Sequence, residues 1–215
     1  MKHPGNRVFH DTSLLTDEDI FLFNEGTHYE LYHKLGSHPA VRRGTPGYCF
    51  AVWAPNAAAV SVIGDFNNWQ SGSHPLQSRG NSGIWEGFIP EITKGIHYKY
   101  EIQSRYNTYR AAKADPVAFA SEEPPTTASL TAELDFKWND AAWLTDRRAR
   151  SSFAAPVSIY EVHLGSWRRN GTGDYLNYSE IAPLLADYVK NAGFSHVELL
   201  PVILPLPPAT AGRRN

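Results

Sequence analysis

The chain has 215 residues, 42% of them hydrophobic and 13% aromatic, with a formal net charge of -2. That composition excludes a disordered or fibrous chain and allows one or two domains with a real core. The near-neutral charge, with no basic run interleaved with aromatics, implies neither nucleic acid nor an anionic membrane as partner.

Residues 1–11 are polar and give no signal peptide, and no apolar run reaches membrane-spanning length. Thr16-Asp17-Glu18-Asp19 ahead of Ile20, Phe21 and Phe23 predicts a capped helix closed by Gly26. Tyr29 to Leu35 reads as a second short helical turn ended by Gly36, packing on a neighbour. From Gly47 to about Lys113 the pattern changes to short strands separated by turn residues: 48–53, 59–63, 83–89, the clean alternation of 95–102, and 106–111. Several short strands at this spacing predict an immunoglobulin-like antiparallel β-sandwich. The only cysteine, Cys49, falls in the first strand and is expected to be buried. One thiol allows no internal disulfide, suits a reducing cytoplasm, and has no histidine near it in sequence to activate it. Asp115 to Thr127 reads as a loop or linker, and Asp140 to about Arg148 as a short helix.

A different order begins at Val157. Ile159 to Leu164 is β-rich, with Tyr160, Val162 and Leu164 on one face and Ile159, Glu161 and His163 on the other. Ile181, Leu184, Leu185, Tyr188 and Val189 recur at helical spacing, with Ser179 as the expected N-cap and Gly193 as the terminator; Pro183 near the N-terminus is tolerable. His196 to Pro201 is a second strand. Strand, helix, strand predicts a parallel α/β segment, the opening of a TIM-type barrel. Glu161 and His163 would then point inward near the barrel mouth.

Two stretches bear on chemistry. Gly64-Asp65-Phe66-Asn67-Asn68-Trp69 follows a strand, and Gly64 with the paired asparagines permits tight turns. A loop tryptophan flanked by amides suits a sugar, with the indole against the apolar pyranose face and Asn67 and Asn68 on its hydroxyls. Trp69 as a cap on the sandwich core is the equal alternative. Glu161, His163, Glu198 and Asp174 are the ionisable groups nearest a barrel mouth; Glu161 and Glu198 could face one another on adjacent strands, but such strand-end pairs are more often bonded to neighbours than catalytic. Nine histidines show no metal-ligand spacing, and no dinucleotide, phosphate-loop or nucleophile-elbow motif is present. Neither a metal nor a cofactor is expected.

Ile159-Tyr160-Glu161-Val162-His163-Leu164-Gly165-Ser166-Trp167 resembles the first barrel strand of glycogen (1,4-α-glucan) branching enzymes. His196 to Val202 resembles their second strand, and Gly26-Thr27-His28-Tyr29 through Gly36-Ser37-His38-Pro39 their lead-in segment. Gly64 to Trp69 is similar to the glycogen-binding module ahead of such barrels. The resemblance implies a glucan site made by Trp69, Asn67, Asn68, Lys99 and, in place of the usual tryptophan, Tyr106. It implies α-glucan as partner and glycogen biosynthesis in the cytoplasm as setting. The full-length family cuts an α-1,4 chain and rejoins it as an α-1,6 branch, using residues on the fourth, fifth and seventh barrel strands. No catalytic residue therefore transfers to this chain, which is expected to be inactive alone. The expected organisation is a helical lead-in over 1–40, the sandwich over 41–120, a connector over 121–156, the first βαβ of a truncated barrel over 157–202, and a tail unlike the family, from a frameshift or truncation, over 203–215. A free-standing glucan-binding or scaffolding module, or a fragment of a debranching or trehalose-forming hydrolase, are the alternatives.

Overall fold

The computed structural model describes residues 7–150 and 155–202, so the expected tail at 203–215 lies outside the described residues. The chain divides into two compact units, Met1–Phe136 and Lys137–Asn215. No helix among the described residues is long and apolar enough to cross a membrane.

In the first unit, α1 (Asp17–Glu25) starts as its sequence implies. Thr16 accepts from the Asp19 backbone, the Asp19 carboxylate accepts from the Thr16 backbone, and left-handed Gly26 closes the helix. A 3₁₀ turn at Leu31–His33 leads into β1 (Gly36–Arg42). Next come β2 (Thr45–Trp53), β3 (Ala57–Gly64), β4 (Gln77–Ser78), β5 (Ile84–Pro90), β6 (His97–Ser104), β7 (Arg110–Lys113), β8 (Ala120–Ser121) and β9 (Ser129–Leu130). One antiparallel sheet has the order β1-β2-β5-β4; the other has β3-β6-β9-β8, with β7 also on β6. β9 pairs with the start of β6, at His97 and Tyr98, and β7 with its end, from Tyr100 to Gln103.

The two sheets bury one aromatic-rich core, with Tyr48, Phe50 and Val52 of β2 against Val60 and Val62 of β3 and Tyr98 and Tyr100 of β6. β2 is buried along most of its length, because its other face carries Ala51 against Leu15, Leu35 and Ile84, with Ile20, Phe23 and Leu31 alongside. The lead-in segment thus covers the outer face of the first sheet. The Asp115 carboxylate lies between the sheets, where it accepts from the Tyr98 and Tyr100 hydroxyls and the Val117 amide. Burial pushes its pKa up, opposed by those bonds.

Several expectations for this unit change. The strand expected at 106–111 begins only at Arg110, because 104–109 make the β6–β7 turn. The 36–42 segment is a strand: Pro39 donates no ladder bond, and β1 sits at a sheet edge where that is tolerated. The loop expected at 115–127 supplies β8 and the connector expected at 121–156 supplies β9, each of two residues and too short to show any period.

In the second unit, α2 (Ala141–Arg150) precedes β10 (Ile159–Val162), α3 (Leu164–Trp167), α4 (Tyr178–Asn191) and β11 (His196–Leu199). β10 and β11 are parallel, pairing Ile159 with His196 and Glu161 with Glu198. Tyr160, Val162 and Leu164 pack with Ile181, Leu185 and Val189 of α4. The strand stops at Val162, earlier than its composition suggests. His163 caps α3, bonding the Ser166 hydroxyl at 2.8 Å, and Trp167 turns back to donate to the Tyr160 hydroxyl at 3.1 Å. The cap of α4 is Asn177 rather than Ser179. Asn177 Oδ1 accepts from the Glu180 amide at 3.0 Å, and Glu180 Oε2 from the Asn177 amide at 2.8 Å. An open apolar groove of about 440 Å³ runs along this layer, lined by Ile181, Leu185, Val197, Leu199 and Val202.

Candidate functional site: the Trp69 end of the sandwich

The site begins at Gly64, the last residue of β3. A Cβ there would lie 2.3 Å from the His97 carbonyl oxygen and 2.8 Å from the Phe66 ring, so only glycine lets the chain pass. A 3₁₀ turn at Asp65–Asn67 follows. Asn68 and Trp69 then both take left-handed backbone angles, φ 52° and 58°. Asparagine adopts that region readily; a bulky tryptophan is strained there by about 1–2 kcal/mol. The strain is held by the Trp69 amide on the Gly64 carbonyl at 2.9 Å.

Asn67 departs from its expected role. Its side chain is buried: Oδ1 accepts from the Gly64 amide at 2.9 Å, and Nδ2 lies 2.9 Å from the Val62 carbonyl, Ser73 Oγ and His74 Nδ1. The amide ties the loop to the fully buried His74, and its Nδ2 hydrogens are spent inside the loop. Asn68 is exposed beside Trp69.

Trp69 is 39% exposed, and its indole N–H donates to Asp65 Oδ1 at 3.1 Å. The other oxygen of Asp65 lies 2.7 Å from His97 Nδ1, and His97 Nε2 lies 3.6 Å from Glu122. Desolvation raises the Asp65 pKa, but the bonds from His97 and Trp69 outweigh it and hold the carboxylate below its usual range. Two residues along β6, the Lys99 ammonium donates to Thr127 Oγ1 at 2.8 Å. Glu122 and Thr127 belong to one tight loop, closed by the Glu122 amide on the Ala128 carbonyl and the Ala128 amide on the Glu122 carboxylate. The outer face of β6 thus carries His97 and Lys99 between the Trp69 loop and the 122–128 loop. Farther along, the Glu101 carboxylate accepts from Ser71 Oγ and the Gly72 amide and pins the far side of the Trp69 loop.

The structure brings Trp69, Asn68 and Lys99 to one end of the β3–β6 pair and leaves Tyr106 out. Gly64 pairs with Tyr98, whereas Tyr106 follows Ser104, which pairs with Ala57 at the opposite end. From Lys99 to Ser104 is about 17 Å of strand. Asp65, His97, Glu122 and Thr127 were not singled out in the sequence. Asp65 lies inside the turn motif and was legible there; the others arrive through long-range pairing. Among the described residues no three His, Cys, Asp or Glu side chains cluster as metal ligands would.

Residues 34–118 match the carbohydrate-binding module 48 family, described as the isoamylase N-terminal domain. The chain is 50% identical over 190 residues to the 1,4-alpha-glucan branching enzyme GlgB of Rhodospirillum rubrum, a match covering 88% of this chain and 26% of that protein. It is 47% identical over 206 residues to GlgB of Cellvibrio japonicus, covering 94% and 28%. A ligand-free crystal structure of a PulA mutant from Klebsiella pneumoniae shares the fold, with a TM-score of 0.54 and 20% identity over 78% of this chain and 18% of that one. The chain thus spans about a quarter of the length of the branching enzymes it matches. Over residues 34–118 it is thus similar to the carbohydrate-binding module 48 family, and along most of its length to the 1,4-alpha-glucan branching enzymes.

Proposed function

We propose that the sandwich binds α-glucan at its Trp69 end, and that the chain is the N-terminal part of a cytoplasmic 1,4-α-glucan branching enzyme. The observation that carries the first claim is Trp69 itself: an exposed indole, held in a strained left-handed backbone and fixed through its N–H by Asp65. A ring kept out of the core at a cost in strain, and locked in orientation, is preorganised for stacking. A pyranose lying on it would meet Asn68 beside the ring. Lys99, with one of its three N–H donors on Thr127, would supply hydroxyl contacts.

The second unit enters this reading as the first βαβ of the catalytic barrel. Its support is the parallel β10–β11 pair with Tyr160 and Val162 packed on α4, while Val197 and Leu199 remain exposed along the groove. Parallel strands are stable when covered on both faces, so this layer suits a larger sheet. The branching reaction, transfer of an α-1,4 chain segment to form an α-1,6 branch, would belong to the whole enzyme.

Electrophoresis of the chain through gels containing glycogen tests the site. Loss of a stacking aromatic costs about 1–3 kcal/mol in base-stacking systems, so Trp69→Ala should weaken retention roughly 5- to 150-fold. Unchanged retention would remove Trp69 from the site.

A further inference from the structure

We infer that the opposite end of the sandwich carries a second carbohydrate site, built on Tyr106 and taking a single ring or chain end of a neutral α-glucan. The inference rests on the reading of the sandwich as a glucan binder, and it concerns surface that the Trp69 site cannot reach. The ends are separated by the run of β6 from Tyr98 to Ser104, about 20 Å.

Tyr106 stands on the turn between β6 and β7 and is 74% exposed. Its position is nonetheless fixed. Its amide donates to Ser104 Oγ at 3.2 Å, and Ser104 in turn bonds the Tyr109 carbonyl at 2.9 Å to close the hairpin. The Tyr106 hydroxyl reaches Asn56 Oδ1 at 3.4 Å, and the Arg105 amide donates to the Asn56 carbonyl at 2.9 Å. The β2–β3 turn is therefore tied to the β6–β7 turn from both sides. A large exposed ring already immobilised by its neighbours has little ordering entropy left to lose on binding.

The surroundings match a sugar. Asn56 holds the Tyr106 hydroxyl through its oxygen, which leaves both amide N–H groups uncommitted to that ring. A cleft of about 160 Å³ lies against the same turn, lined by Pro55, Asn81, Gly83, Trp85 and Arg105. It is smaller than a drug-sized pocket, which suits one ring better than an extended ligand. Trp85 contributes apolar surface, its indole N–H being taken by the Ala54 carbonyl at 3.1 Å. Arg105 is the one charged residue in that lining. The cleft itself offers the Trp85 ring, the Asn81 amide and the Arg105 guanidinium, and Asn56 and Tyr106 are the next residues along the two turns that border it; such groups recognise a hydroxyl-rich, uncharged ligand. Two such sites on one rigid sandwich would engage neighbouring chains of one branched polymer, so polymer affinity would exceed that of either site for a short oligosaccharide.

The test counts sites in the full 215-residue chain by equilibrium dialysis with labelled maltotriose, a ligand too short to bridge the two ends. The expected stoichiometry is two for the native chain, one each for Tyr106→Ala and Trp69→Ala, and none for the double variant. Tyr106→Phe, which keeps the ring, should retain the site. In glycogen gels, loss of either site should weaken retention at least tenfold more than it weakens maltotriose binding at the site that remains. If Trp69→Ala has no effect while Tyr106→Ala removes a site, the second site stands and the Trp69 reading falls. One maltotriose per native chain, unchanged in Tyr106→Ala, would overturn the inference; Tyr106 is exposed enough that alanine there should leave the fold intact.

Discussion

Replacing Asn67 with alanine should unfold the Trp69 loop before it changes any sugar contact. The side chain is buried, and its loss would strand two backbone groups at the end of β3: the Gly64 amide, 2.9 Å from Asn67 Oδ1, and the Val62 carbonyl, 2.9 Å from Nδ2. His74 Nδ1 keeps Ser73 Oγ at 3.0 Å and is spared. Each stranded buried group costs about 1–3 kcal/mol, which gives a loss of roughly 2–6 kcal/mol. Asn67→Asp should fare no better, because one of its oxygens would face the Val62 carbonyl where an N–H donor stood. Asn68→Gly should be close to neutral, since Asn68 is exposed and left-handed, a conformation glycine adopts freely. Urea unfolding followed by circular dichroism reads all three. A loss below about 0.5 kcal/mol for Asn67→Ala, the scale of ordinary surface changes, would refute the role of Asn67 as the anchor of the loop.

Three further outcomes follow from the packing and the charges. Burial pushes the Cys49 thiol up to about 12, with the nearby Glu86 carboxylate adding to it; Cys49 should resist a thiol reagent at neutral pH in the folded chain and react promptly in denaturant, and fast labelling of the native protein would contradict this. Against the desolvation that raises it, bonds from Thr16, His28 and Lys34 hold Asp19 well below the usual carboxylate range. A depressed folded pKa gives stability that is fully present above the unfolded value of about 3.9 and lost as pH falls toward the folded one; Asp19→Asn should therefore flatten the acid arm of the stability profile below about pH 4, and an unaltered arm would deny Asp19 that role. Ile181→Ala, at a fully buried position of α4, should cost about 2–5 kcal/mol and raise hydrogen exchange in 159–199 while the sandwich stays protected; equal loosening of both units would count against their independence.

Much of the sandwich could be read from the residues because its strands obey period two. Tyr98 and Tyr100 point into the core, and His97, Lys99 and Glu101 point out of it. β2 is continuous rather than alternating, and its second buried face is intelligible only once Leu15, Leu35 and Ile84 are seen against Ala51. The cap of α4 shows the limit of local reading. Ser179 and Asn177 are both good caps, and the Asn177–Glu180 spacing decides between them through two reciprocal bonds. In the site, Trp69 was visible because a turn motif displays it. Asn67 looked like its partner in recognition and is instead the loop's internal strut. Tyr106 could not be placed from sequence, since its distance from Trp69 depends on which ends of β3 and β6 pair. Asp65 was within reach, as a carboxylate four residues before the indole it holds.

The central claim is that Trp69 is a glucan-stacking platform, and the most direct measurement observes its own indole. In a nitrogen-15-labelled sample each of the chain's six tryptophans carries one observable side-chain N–H, and Trp69→Phe assigns the signal of interest. On titration with maltoheptaose, the Trp69 indole signal and the Lys99 amide should move together along one saturable curve, while the Trp143 indole of the second unit stays still. A Trp69 signal that holds its position as other signals saturate would contradict the account.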